Sequence, residues 1–302
     1  MKPSIYDAIS VEPLYRYDHN AGDRRYARVD ERGKVIWYPS VTTIIRATSP
    51  TPPGLLAWYV KHGIDGANEL RDEAAERGTE MHLNFERYLQ GHNVELAMLT
   101  DFQSKALLSF DQFCRDYKVE PLGIEVMLWH DDYCYAGACD LIAWLTDPKT
   151  GQRDLSIIDF KSGSSSYDDH AVQTEMYRQA WNDMACKSPE YQVERHYNWH
   201  PKDWRRSPTY NLKENTFNVD PEVPRLRSEL YKLTNESKPK SKFLFRGTLP
   251  GDGHFVEIDP DQVILEAYAN TQSRILQHSD AMRGPSSAPP KTTPFESTSL
   301  GV

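Results

Sequence analysis

A chain of 302 residues, 39% apolar and 26% charged, can bury a large core as one embellished domain or two modest ones, which excludes a compositionally disordered protein. Its formal charge of −9, from 35 basic against 44 acidic side chains, argues against unspecific coating of nucleic acid while leaving room for a local basic track. No apolar run approaches the roughly 18 residues of a membrane span, and Met1 to Asp7 carry no signal-peptide apolar region, so a soluble cytoplasmic protein without membrane contact is expected.

In chain order, Arg25 to Val29 reads as a strand, Asp30 to Gly33 as a turn and Lys34 to Tyr38 as the return strand, a hairpin ended by Pro39. Ser40 is placed to cap a short helix through Ile45; Ser40 and Thr42 suit capping or a phosphate contact. The breakers Pro50, Pro52, Pro53 and Gly54 precede a helix over 55–61, and a further helix covers 72–89. On that helix His82 and Glu86 share a face, with Gly78 one turn earlier. A helical glycine costs about 1 kcal/mol relative to alanine, so Gly78 marks close packing or a backbone approach. His82 alone fits a packed histidine as well as a ligand. The region 95–117, with Leu99, Phe102, Ala106, Phe110 and Phe113 at helical spacing, is assigned to the core.

From Glu120 the period becomes that of strands. Segments 123–129, 133–144 and 155–160, joined by turns at Asp131-Asp132 and 147–151, predict an antiparallel meander feeding an α/β core, with Asp131 and Asp132 solvated. Glu125 and Asp140 interrupt apolar strands; a buried carboxylate is costly unless paired or metal-bound, although a wet sheet face also accommodates Glu125. Asp159 and Lys161 stand two apart at a strand end, hence on one side, either as an ion pair or as a metal site with a poised water. The helix His170 to Trp181 puts Gln173 and Tyr177 on one face, where Gln173 can bond a phosphate or a ligand carboxylate and Tyr177 can reach the same cleft or stack on a base. Beyond it come a strand over 192–200 with His196 and His200 in structural roles, a basic and aromatic loop Pro201 to Arg206, and a helix over 224–233. A basic patch of Lys238, Lys240, Lys242 and Arg246, a strand over 255–258 and a helix capped by Asp259 follow. Residues 281–302, rich in Ser, Pro, Thr and Gly, are expected to be a flexible tail. Four cysteines without close ligand spacing read as reduced thiols.

Assembled, His82 offers a nitrogen, Asp140 and Asp159 offer oxygens, and the Phe160 carbonyl can add another. That mixture suits Mg2+ or Mn2+ better than a zinc, which would want more nitrogen or sulphur. Lys161 is then placed to orient or help deprotonate a water that attacks phosphorus.

The segments Arg77-Gly-Thr-Glu-Met-His82, Gly137-Ala-Cys-Asp140, Ile158-Asp-Phe-Lys161 and Gln173-Thr-Glu-Met-Tyr177, in this order, resemble the PD-(D/E)xK nuclease superfamily in its RecB-like exonuclease branch. The segment Pro39 to Ile44 resembles the lead-in to such cores, and the likeness spans about residues 39–185. It implies a restriction-endonuclease-like α/β core, a mixed central sheet flanked by helices, with an N-terminal hairpin and C-terminal α+β additions. Residues 1–50 would form the hairpin and lead-in, 51–200 the nuclease core, 201–280 its C-terminal extension and 281–302 the tail. It further implies that His82, Asp140 and Asp159 bind the divalent metal, Lys161 positions the water, Gln173 and Tyr177 line the substrate cleft, and Glu125 supports Lys161 or a second metal. The expected activity is exonucleolytic hydrolysis of DNA, with a structure-selective endonuclease or an inactive DNA-binding scaffold as alternatives. The cysteines all lie between residues 114 and 186, so no iron–sulphur cluster of the kind some relatives carry is expected. No G-x-x-x-x-G-K segment is present, so processive degradation would need shape, oligomerisation or a partner such as a helicase, recombinase or single-strand-binding protein.

Overall fold

Periodicity places most of the secondary elements, and their end signals set the bounds. The computed structural model describes residues 5–9, 12–20, 23–163, 168–246 and 252–283. After a short helix α1 (Ile5–Ala8), strands β1 (Tyr15–Asn20), β2 (Asp23–Val29) and β3 (Val35–Pro39) form an antiparallel sheet in the order β1-β2-β3. The expected hairpin is β2–β3; β1 adds an edge strand whose Tyr15 and Tyr17 pack on the Ala27 and Trp37 side while Arg16 and Asp18 are exposed. Helix α2 (Val41–Thr48) starts where Ser40 accepts the Thr43 amide proton, so Ser40 is a cap.

The two helices expected between residues 55 and 89 form one long run, α3 (Pro53–Leu89), broken at Gly63, whose φ of 71° leaves the helical region. The next helix, α4 (Asp101–Asp116), begins later than its apolar pattern because Thr100 and Gln103 close a capping box, leaving Leu96–Met98 as a separate 3-10 turn.

Strands β4 (Glu120–His130), β5 (Tyr135–Thr146) and β6 (Arg153–Phe160) form the antiparallel meander. Helix α5 (Asp168–Met184) crosses over to β7 (Arg195–Pro201), parallel to β6, and β8 (Tyr210–Glu214) returns antiparallel, giving a mixed five-stranded sheet β4-β5-β6-β7-β8. Alternate residues of the strands feed two cores. On one face Ile157 and Cys139 pack with Ile44 of α2 and Met176 and Trp181 of α5; on the other Ile158 and Leu141 pack with Phe85 of α3 and Phe110 of α4. The molecule is therefore a mixed α/β fold with helices on both faces of its central sheet.

Helix α6 (Val223–Thr234) is followed by β9 (Lys242–Arg246) and β10 (His254–Ile258), which among the described residues pair with each other instead of extending the central sheet. Helix α7 (Pro260–Arg283) packs Ile264 against Ala27 and Trp37 of the N-terminal sheet, and the Trp37 indole donates to Asp261 at 2.6 Å. Asp131 is an exposed turn residue, as expected, and it also accepts from Arg28 at 3.0 Å and from the Tyr38 hydroxyl, joining the N-terminal sheet to the β4–β5 turn. Two expectations change here. Trp204 turns its indole to the Ser109 hydroxyl at 2.9 Å instead of leaving it for a base, and Lys238 is paired with Asp259 and Asp261, which subtracts it from the basic patch. The four cysteines are free, as expected. Of the expected tail, residues 284–302 lie outside the described residues. Among the described residues no helix is long and apolar enough to cross a membrane.

Candidate metal and catalytic centre

Leu141 of β5 pairs with Ile158 of β6, so the acids next to them, Asp140 and Asp159, come side by side on neighbouring strands. Asp140 is buried; its Oδ2 accepts the Phe160 amide proton at 2.5 Å and its Oδ1 lies 3.4 Å from His82 Nδ1. His82 Nε2 is 3.1 Å from the Phe160 carbonyl oxygen. Both backbone groups of Phe160 are thus tied to the site. His82 is held there by its neighbours on α3: Met81 and Phe85 are fully buried, and the Phe85 ring stacks on Phe110 at 4.0 Å while Phe160 and Trp199 meet it edge-on.

Glu125 completes the group. Its Oε1 is 4.0 Å from His82 Nδ1, and one donor atom each from His82, Glu125 and Asp140 lies within 4.8 Å of the others. Glu125 takes φ of 50°, the left-handed region that a non-glycine residue seldom adopts, between the ladder pairs Ile124–Leu141 and Val126–Cys139.

Asp159 stands outside that group, although the sequence reading placed it with His82 and Asp140. Protein donors occupy both its oxygens: Lys161 Nζ at 2.7 Å and Asn198 Nδ2 at 2.9 Å on Oδ2, and Gln173 Nε2 at 2.9 Å on Oδ1. Gln173 is the clamp between these groups, since its Oε1 accepts from Lys161 at 2.7 Å and its Nε2 also donates to the Tyr177 hydroxyl at 3.1 Å. It is therefore engaged with protein groups at both ends instead of waiting for a phosphate. Tyr177, 4% exposed, offers no free face for stacking on a base; its ring lies so close to β5 that a Cβ on Gly137 would sit 2.6 Å from Tyr177 Cε1.

The charges are strongly coupled to this packing. Burial, then the neighbouring Asp140, pushes the Glu125 carboxyl up to about 7. Burial disfavours the His82 imidazolium, yet Asp140, Asp159 and Glu125 together outweigh it and raise the ring to about 9. Burial also raises the Asp159 carboxyl, against the pull of Lys161. A cluster of carboxylates of this kind needs a positive charge among them. The proton on His82 supplies one; a hard divalent cation, taking one imidazole nitrogen, carboxylate oxygens and a backbone carbonyl, suits the same donor set.

These residues line one open cavity of about 470 Å³ together with Gly78, Glu86 and three groups that sequence reading did not assign to the site: Arg16 of β1, Arg24 of β2 and, as a phosphate contact only in alternative, Thr42. The arginines were hidden because β1 and β2 precede the first site residue, His82, by more than fifty residues and carry no distinguishing spacing. Asn198 was also missed: in β7 the polar His196, Asn198 and His200 alternate with Tyr197 and Trp199, so an amide there breaks no pattern, unlike Asp140 in β5. No protein-family model matches the chain, and no curated protein matches it.

Proposed function

We propose that the chain is a divalent-metal-dependent deoxyribonuclease of the PD-(D/E)xK type on a restriction-endonuclease-like core, acting most readily as an exonuclease on DNA ends or single strands. The observation that carries this is the adjacency, in one open cavity, of the His82, Glu125 and Asp140 donors and a locked Asp159–Lys161 pair. His82, Glu125 and Asp140, with the Phe160 carbonyl beside them, would hold Mg2+ or Mn2+, and Asp159 adjoins them. Once bound, the cation supplies Lewis-acid stabilisation of charge on the phosphate. Lys161, fixed by Asp159 and Gln173, presents its ammonium to the cavity, where it orients the attacking water and opposes the negative charge that builds on phosphate oxygens. Gln173 and Tyr177 act by holding that ammonium and the Asp159 carboxylate, and not by touching DNA. Arg16 and Arg24 line the cavity, where their guanidinium groups, each also paired with the exposed Asp18, would meet the flanking backbone phosphates.

The test uses end-labelled linear duplex and single-stranded DNA and a covalently closed circle, with Mg2+, Mn2+ or chelator. Wild-type protein is expected to degrade the linear substrates only with metal and spare the circle, and Lys161→Ala to lose at least about a hundredfold in rate, as removal of a charge-stabilising group does. Cleavage of the circle would make the enzyme an endonuclease. DNA binding without cleavage would overturn the catalytic reading in favour of a scaffold, and an unchanged rate in the lysine variant would overturn the role given to Lys161.

A further inference from the structure

Behind Asp159 runs a file of buried polar side chains that the proposed chemistry does not use. Asn198 of β7 is fully buried, and its side chain makes two bonds: Nδ2 donates to Asp159 Oδ2 at 2.9 Å, and Oδ1 accepts from Asn215 Nδ2 at 2.7 Å. Asn215, also fully buried, turns the same nitrogen to Thr174 Oγ1 at 3.2 Å. Thr174 is anchored in α5 by donating to the Ala171 carbonyl at 3.0 Å, and His196 Nδ1 lies 2.8 Å from the same hydroxyl oxygen. His196 Nε2 ends the file 3.1 Å from Glu175.

The directions of these bonds carry the argument. A reversed Asn198 amide would aim its oxygen at a carboxylate; Asn215 prevents this by donating to that oxygen, which leaves the Asn198 nitrogen for Asp159. Asn215 keeps this orientation at a cost, because its own Oδ1 is buried with no hydrogen-bond partner among the described residues. A pair of buried amides adds nothing that apolar residues of similar shape could not give the core. Their geometry instead resolves onto one functional oxygen.

Two consecutive residues of α5 thereby govern the two oxygens of one carboxylate. Gln173 holds Oδ1 directly, and Thr174 holds Oδ2 through Asn215 and Asn198. We propose that Asn198 is a positioning residue that fixes the rotamer of Asp159, and through it the seat of Lys161, with Asn215 setting the direction of the Asn198 amide. The inference rests on the nuclease reading for its catalytic consequence, but the orientation of Asp159 is measurable without it.

The experiment compares full-length wild type, Asn198→Leu and Asn215→Leu. The leucine at position 198 keeps the approximate size and removes the donor, so both variants are expected to fold, with melting checked by circular dichroism. In single-turnover cleavage with Mg2+, Asn198→Leu is expected to lose on the order of 10- to 100-fold in rate, the effect usual for hydrogen-bond partners of active-site ligands, while the DNA concentration giving half-maximal rate stays within about twofold. Asn215→Leu is expected to lose less in the same direction. Crystal structures of the variants provide the second reading: the Asp159 carboxylate should rotate and its Lys161 contact lengthen. A normal rate with Asp159 in place overturns the proposal, as does a loss of rate that comes only with a raised DNA requirement and an unmoved Asp159. If wild type proves inactive, the nuclease reading fails, and the Asp159 position in the variants still decides the positioning role. Should the leucine at 198 prevent folding, the Asn215 variant gives the same two readings.

Discussion

At the scale of single residues, His82 ties protonation to cation binding. Asp140, Asp159 and Glu125 hold its ring at about 9 against the opposing effect of burial, so at neutral pH the site contains a proton where a metal would sit. Glu125, pushed up to about 7 by burial and by Asp140, is half-protonated there and contributes a second. A cation must displace these protons, so its affinity should rise with pH through 7 and on towards 9. Titration calorimetry of Mn2+ in buffers of different ionisation enthalpy is expected to show one to two protons released near pH 7 and fewer above pH 9. Proton-independent binding would place the cation elsewhere. The sequence showed His82, Asp140, Asp159 and Lys161 as candidates because each breaks a pattern: an imidazole on a helix face, an acid inside an apolar strand, an acid and a base two apart. It did not show that Asp159 spends its oxygens on Lys161, Gln173 and Asn198, since hydrogen-bond partners across strands and helices have no fixed sequence separation.

At the scale of elements, the site depends on how closely α5 lies on β5. Gly137 permits that approach, because any side chain there would meet the Tyr177 ring edge, which the fully buried Trp181 and the rest of the α5 core keep from retreating. Gly137→Ala is therefore expected to destabilise the fold by about 1–3 kcal/mol, as overpacking does, and to weaken the Gln173 clamp on Lys161 with it. Urea unfolding measures the first effect and single-turnover cleavage the second; an unchanged midpoint would mean that α5 shifts freely. The strands of the meander and the helices α2, α4, α5 and α6 were legible from period and caps. Strand β1 was not, although Tyr15 and Tyr17, which pack on the Ala27–Trp37–Ile264 cluster, alternate with exposed Arg16 and Asp18; four residues of alternation are too few to stand out. The two helices read between residues 55 and 89 are the two arms of α3 either side of Gly63; that the second arm begins before residue 72 was not legible.

For the whole molecule, acid stability should depend on the buried cluster that closes the asparagine file. Burial would raise the Glu175 carboxyl, but hydrogen bonds from Arg178, His196 and Gln179 and the Arg178 charge overcome it and hold the group down at about 2, against an ordinary 4.5. A carboxyl lowered on folding stabilises the native state fully above its ordinary value, and that contribution is lost as pH falls from about 4.5 towards 2. It amounts to roughly 3 kcal/mol at neutral pH by the linkage of pKa to stability. Glu175→Gln should accordingly be less stable than wild type at pH 7 and lose less on acidification to pH 3, read by chemical denaturation at a series of pH values. Parallel curves for the two proteins would show that other carboxyls control the acid limb.

Local pattern in the chain sufficed for the mixed α/β class, the meander and the helix after it, the face on which His82 and Glu86 stand and the strand-end pair Asp159–Lys161. Each of these follows from periodicities of two and 3.6 and from capping chemistry, which act over neighbouring residues. Tertiary structure alone decided that Glu125 and not Asp159 groups with His82 and Asp140, and that Asp131 clasps the N-terminal sheet. It also decided that Arg16 and Arg24 reach the cavity and that Asn198 and Asn215 stand behind Asp159. Those relations join residues tens to more than a hundred positions apart. They are fixed by strand register, by the left-handed turn of the backbone at Glu125 and by the need of each buried polar group for a partner.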